Sequence, residues 1–182
     1  RDSPSITLAG GTPVFVSMET APGDPAGYRV PWDRVRAALS LCTRLLLLNT
    51  PHNPSGAAWT EDDLNELEAL VRNTRVLLMT DEVYEHIIFD GLAHQSVARR
   101  PALAERAFVI SSFGKTFHTT GWKIGYCCAP RELTEEFRKV HQFMVFAVSS
   151  HTQQAIAAYL KDPAPYETLP AFYQAKRDRF RD

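Results

Sequence analysis

Four short polar clusters in this chain of 182 residues hold side chains able to bind and rework a small molecule. Ser111-Ser112-Phe113-Gly114-Lys115-Thr116 places a lysine behind a small-residue turn that follows an apolar run. Burial or a neighbouring cation makes such an amine shed its proton and become nucleophilic enough to form a Schiff base. A solvated surface lysine is the plainer alternative. Thr80-Asp81-Glu82-Val83-Tyr84-Glu85 ends another apolar run in a carboxylate, which is costly to bury unless a cation answers it. A protonated pyridine nitrogen is one such cation; a helix N-cap is the simpler role for Asp81. Tyr84 projects toward the side of Asp81 if the segment turns helically, and is otherwise an ordinary half-buried tyrosine with a wet tip.

The third cluster is Asn49-Thr50-Pro51-His52-Asn53-Pro54-Ser55-Gly56. Its prolines and glycine fix an irregular turn that holds the Asn53 amide as a hydrogen-bond donor, with an ordinary strand-to-helix loop as the alternative. His52 has no obvious nucleophile to pair with and reads as structural, or as a support behind the residues that touch a ligand. The fourth is Thr119-Thr120-Gly121-Trp122-Lys123-Ile124-Gly125, where Lys123 follows Lys115 by eight residues. A cation there, with the Ser112 hydroxyl, can hold a phosphate; a strand-edge lysine is the bland reading.

Short apolar runs alternate with helical periods along the chain, the pattern of an α/β domain. Strands are expected at 14–17, 45–48, 75–79, 107–111 and 124–129, the 45–48 run being covered on both faces. The 124–129 strand follows its predecessor too closely for a helical crossover and is expected to be antiparallel. A Pro/Gly-rich loop is expected through Pro22, Gly23, Pro25 and Gly27. Helices are expected at 32–41, 60–71, 130–144, 152–160 and from about 166 onward. In the second of these, Thr60 and Asp63 form a variant capping box, and Leu64, Leu67, Leu70 and Val71 form the buried stripe. The clusters beginning at Asn53, Asp81 and Ser112 each follow an expected strand. Ligands of open α/β sheets bind at the carboxyl ends of strands, so the three point to one shared site.

Composition excludes several classes. With 45% hydrophobic and 23% charged residues and a net charge of −1, nothing favours nucleic acid or an anionic membrane. The longest apolar run is too short to span a bilayer. Cys42, Cys127 and Cys128 give neither a disulfide framework nor a metal-ligand spacing, and a cytoplasmic location follows as the expectation.

Taken together, the four motifs, in this order and spacing, resemble the class I/II aminotransferases of pyridoxal-phosphate (PLP) fold type I, the aspartate aminotransferase superfamily. The resemblance extends from about Ser5 to Arg181. His141-Gln142-Phe143, Val145-Phe146 and Lys123 look most like the branch with kynurenine, glutamine and methionine aminotransferases. Most of the family carries arginine at the position of Lys123; lysine keeps the charge but loses the bidentate fork.

The resemblance implies a three-layer αβα large domain with a mostly parallel sheet and one antiparallel strand. It implies pyridoxal 5'-phosphate as cofactor, with amino acids and 2-oxo acids as substrates, in a homodimer. Lys115 then matches the Schiff-base lysine that also carries the proton between the substrate's α-carbon and the cofactor. Asp81 matches the partner of the pyridine nitrogen, Asn53 and Tyr84 the residues on the ring's phenolic oxygen, and Ser112 and Lys123 the phosphate contacts. Residues 1–182 are expected to be the central part of the PLP-binding large domain, with 165–182 leading toward a small domain. The expectation is thus of a fragment, without the phosphate-binding turn, the ring-stacking aromatic and the carboxylate-binding arginine of the family. Two other outcomes stay open: a cysteine-S-conjugate β-lyase using the same site, and an aminotransferase-like effector domain of a transcription regulator.

Overall fold

Alternation of side chains along three parallel strands decides what each face of the main sheet meets. The computed structural model describes residues 3–21, 23 and 27–181. In chain order the elements begin with α1 (Ser3–Leu8), then β1 (Glu19–Thr20) and β2 (Tyr28–Arg29), a two-stranded antiparallel pair. There follow α2 (Trp32–Ala38), β3 (Leu45–Asn49), α3 (Glu61–Val71), β4 (Leu77–Asp81), α4 (Pro101–Ala104) and β5 (Ala107–Ser112). The chain continues through α5 (Phe113–Thr116), β6 (Gly125–Cys128), α6 (Arg131–Met144), α7 (Ser150–Tyr159), α8 (Ala164–Glu167) and α9 (Leu169–Arg181).

The main sheet has the order β3-β4-β5-β6. Its first three strands are parallel, and β6 runs antiparallel to β5, pairing Ser111 with Tyr126 and Ser112 with Gly125. Registers of Leu46 with Leu78 and of Thr80 with Val109 put these residues on one face with Leu48 and Ala107. That face packs on the α3 stripe of Leu64, Leu67, Leu70 and Val71, together with Val97 and Leu103. On the other face the Phe108 ring meets Phe137 of α6, with centroids 6.4 Å apart. Helices thus pack on both faces, on the second one at β5, and the expected α/β architecture with one antiparallel strand is the one observed.

Local chemistry explains the best-defined helix. Thr60 caps α3, its hydroxyl accepting from the Asp63 amide at 3.3 Å while Asp63 accepts from the Thr60 amide at 2.8 Å. This is the expected capping box, with aspartate in the place of glutamate.

Several expectations are corrected. Residues 14–17 form no strand: Val14 and Phe15 are exposed and have no neighbouring strand to pair with, and β-propensity without a partner does not make a strand. Strand β4 sits two residues later than expected, so Asp81 is its last residue rather than the second beyond it. Strand β3 is not covered on both faces: Leu45 and Leu47 are 38% and 41% exposed, while Leu46 and Leu48 pack on the core. Helix α1 was not foreseen, and the stretch from 164 divides into α8 and α9. Of the expected loop, Pro22 and Pro25 lie outside the described residues.

Candidate active site

Because β3, β4 and β5 run parallel, their last residues, Asn49, Asp81 and Ser112, come to the same edge of the sheet. Asn49 and Asp81 are direct cross-strand partners. The Asn49 side-chain amide donates to the Asp81 carbonyl at 2.9 Å, and the Asn49 side-chain oxygen accepts from the Asn53 backbone N–H at 2.8 Å. Asn49 therefore ties the turn after β3 to the end of β4. That turn carries two cis peptide bonds, before Pro51 and before Pro54.

From this turn Asn53 reaches the second cluster. Its side-chain amide donates to the Tyr84 hydroxyl at 3.3 Å. The direction matters, because Tyr84 uses a lone pair here and keeps its own O–H free to donate elsewhere. Asp81 is exposed, and its carboxylate accepts from the Val83 amide at 3.2 Å. It is not the cap of a helix: a turn follows it, and that turn carries Tyr84. His52 bonds the Ser55 hydroxyl at 2.8 Å, and burial pushes its imidazole below the ordinary range, in keeping with a structural role.

Ser112 caps the short helix α5. Its hydroxyl accepts from the Gly114 amide at 3.1 Å and donates to the Ile124 carbonyl at 3.2 Å, beside Lys123. To donate to a ligand, this hydroxyl has to turn away from Ile124. Lys115 lies exposed on α5 between buried Gly114 and Thr116. Close backbone approach explains Gly114, where an added Cβ would lie 2.9 Å from Thr120 Cα. Lys123 ends a single 3₁₀ turn over Thr120–Trp122 in the left-handed conformation, with φ 54°, a sparsely populated state for a non-glycine residue. Neither lysine side chain has a hydrogen bond or ion pair among the described residues, so both amines are free for a ligand.

The structure therefore joins Asn53 to Tyr84 directly, Asp81 to the Asn53 turn through Asn49, and Ser112 to the neighbour of Lys123. The Lys115 side chain makes no hydrogen bond or ion pair with the other five.

Three further polar residues were not singled out from the sequence. Asn49 is the brace just described. Glu85 accepts from the Tyr126 hydroxyl at 2.6 Å and from the Ser111 hydroxyl at 2.9 Å. Burial first, then this bond to Glu85, hold the Tyr126 phenol well above its ordinary pKa. Glu82, 1% exposed, accepts from Thr80, Val97 and His94. The signal for Glu82 was its spacing: at period two from Leu78 and Thr80 it falls on the buried face.

A set comprising one free amine, a carboxylate at a strand end, a paired amide and phenol, and a hydroxyl beside a cation fits an aromatic aldehyde phosphate with a basic ring nitrogen. Comparison with known proteins agrees with that chemistry. Residues 3–182 match the family model "Aminotransferase class I and II". The chain is 45% identical over 177 residues to a methionine aminotransferase of Escherichia coli (strain K12), covering 97% of this chain and 45% of that protein. To the kynurenine–oxoglutarate transaminase 1 of Homo sapiens it is 36% identical over 160 residues, covering 85% of this chain and 38% of that protein. The solved N-succinyldiaminopimelate aminotransferase of Mycobacterium tuberculosis superposes with a TM-score of 0.90 at 35% identity, covering 97% of this chain and 45% of that one. The chain thus spans less than half the length of the relatives it matches. Fold, motif order and family model together identify the chain as a member of the class I and II aminotransferases, with the fold of PLP fold type I.

Proposed function

We propose that the protein is a PLP-dependent aminotransferase and that this chain is the central part of its cofactor-binding large domain. What supports the reading is that Asn53, Asp81, Tyr84, Ser112 and Lys115 lie at or just beyond the carboxyl ends of three parallel strands, with Lys123 just before antiparallel β6. When bound, the cofactor supplies an aldehyde that bonds an amine and a ring that takes up the electrons released at the substrate's α-carbon.

Each residue then has a role its surroundings suit. The Lys115 amine would hold the cofactor at its aldehyde carbon, water being lost as they join, and when displaced would be the base placed to move the substrate's α-proton. The Asp81 carboxylate would accept from the ring N–H and keep that nitrogen protonated. Tyr84 would donate its O–H to the ring's phenolic oxygen, with Asn53 alongside it. The Ser112 hydroxyl, once turned from Ile124, would hold the phosphate, whose charge Lys123 would neutralise as a point charge.

Substrates are an amino acid and a 2-oxo acid, with methionine, glutamine and aromatic amino acids suggested by the relatives' branch. A homodimer and a cytoplasmic location belong to the same reading. No helix among the described residues is long and apolar enough to cross a membrane.

The test is amino-group exchange by the full-length protein, with methionine as donor and a 2-oxo acid as acceptor. Exchange that falls about a thousandfold or more in Lys115→Ala is expected. Exchange unchanged by that substitution contradicts the reading. Release of pyruvate and ammonia from a cysteine conjugate, without exchange, assigns the site to β-elimination instead.

A further inference from the structure

Among the described residues the Glu82 carboxylate is the most deeply buried acid, and it ties together both ends of the segment that carries Asp81 and Tyr84. Its backbone N–H donates to Ile110 of β5 at 2.8 Å, and its carbonyl accepts from the Glu85 amide at 2.9 Å, opening the turn that contains Tyr84. Its side chain lies with Thr80 on the face packed against α3, opposite Asp81. There one carboxylate oxygen accepts from the Thr80 hydroxyl at 3.0 Å and the Val97 amide at 3.3 Å. The other meets His94 Nε2 at 2.8 Å.

Val97 is fully buried in the core, so the carboxylate fastens the end of β4 to a fixed point 15 residues further along. Three donors converging on one buried carboxylate satisfy a charge that would otherwise be expensive to hold there. Among the described residues His94 Nδ1 is buried without a partner. The contact of Nε2 with a carboxylate oxygen, an acceptor, is a hydrogen bond only with the hydrogen on Nε2. None of these groups lies on the Asp81 face.

We propose that Glu82 and His94 form a positioning pair: by locking the Asp81–Val97 segment from behind the sheet, they fix Asp81 and Tyr84 for the cofactor. The proposal rests on the cofactor reading above. It makes His94 a residue that acts through Glu82, with the Nε2–H donor as its working group. Glutamine at 94 can supply a donor at a similar reach; leucine fills the space and supplies none.

The experiment uses the full-length protein with His94→Leu, His94→Gln and Thr80→Val. It reads PLP affinity by fluorescence titration and, without cofactor, amide hydrogen exchange over residues 82–97. In His94→Leu, affinity is expected to fall about tenfold, the size expected for losing a hydrogen bond to a charged group. Exchange over 82–97 speeds up while β3 and β5 stay protected, and His94→Gln restores both. Should His94→Leu not fold, Thr80→Val removes one donor from the same carboxylate and is expected to shift both readouts in the same direction. Thr80→Val and His94→Gln proteins that match wild type while a folded His94→Leu also matches it overturn the pair. So does lowered thermal stability with unchanged affinity, which leaves only a structural role. Wild-type protein that binds no PLP defeats the cofactor reading and the pair with it; wild-type binding with inert variants defeats the pair alone.

Discussion

The Asn53 side-chain amide donates to the Tyr84 hydroxyl at 3.3 Å, joining two turns that lie 31 residues apart in the chain. The bond sits at the long end for a hydrogen bond and is exposed, so it contributes little to folding on its own. Its consequence is directional: it leaves the phenol hydrogen of Tyr84 unused.

Tyr84→Phe removes that hydrogen and is expected to weaken PLP binding by about 1 kcal/mol, while the melting temperature stays close to wild type. Asn53→Ala is expected to act in the same direction. A double-mutant cycle on PLP affinity should then give a non-zero coupling between the two residues, about 0.5–1 kcal/mol. Additivity without any coupling contradicts the pairing.

Gly125 faces the backbone of β5 at a distance no side chain tolerates. A Cβ there would lie 2.5 Å from the Ser111 carbonyl oxygen and 3.3 Å from Ser112 Cα. Gly125→Ala is therefore expected to force β5 and β6 apart and cost about 1–3 kcal/mol of stability. Gly121→Ala, with open space around it, is the control and should leave stability nearly unchanged. Chemical denaturation of both variants checks the difference; equal stabilities contradict the close approach.

Tyr126 supplies a prediction about pH. Burial and its bond to Glu85 raise its folded pKa, so the native chain holds this proton more tightly than the unfolded chain does. Stability from this group is complete below the ordinary phenol pKa of about 10 and is lost as pH climbs from there toward the folded value. An absorbance titration of the six tyrosines should show one phenol lagging behind the rest. The lag should shrink in Glu85→Gln, and a lag of the same size there contradicts the assignment.

Much of this site was legible in the sequence because it is local. Lys115 behind Ser112 and Gly114, Tyr84 three residues after Asp81, and Asn53 between two prolines are short-range patterns that the sequence itself displays. The capping box of Thr60 and Asp63 was readable for the same reason. The parallel sheet followed from apolar runs alternating with helical periods, and antiparallel β6 from the short link that precedes it. Non-local features were not legible. The Asn49 brace depends on the register of β3 against β4, and the Glu82 cluster depends on a loop that folds back to bring His94 and Val97 to it. Val14–Ser17 has a strand's residue types, but a strand is made by its partner, and none is beside it. The exposure of Leu45 and Leu47 was hidden likewise, since a leucine run reads the same whether one face is packed or two.

The central claim is that the Lys115 amine holds the cofactor. Its most direct test is borohydride reduction of the full-length protein loaded with PLP, followed by peptide mass mapping. The account predicts a reduced pyridoxyl group confined to the peptide that carries Lys115. A group on Lys123 or another lysine in its place, or no adduct at all, contradicts it.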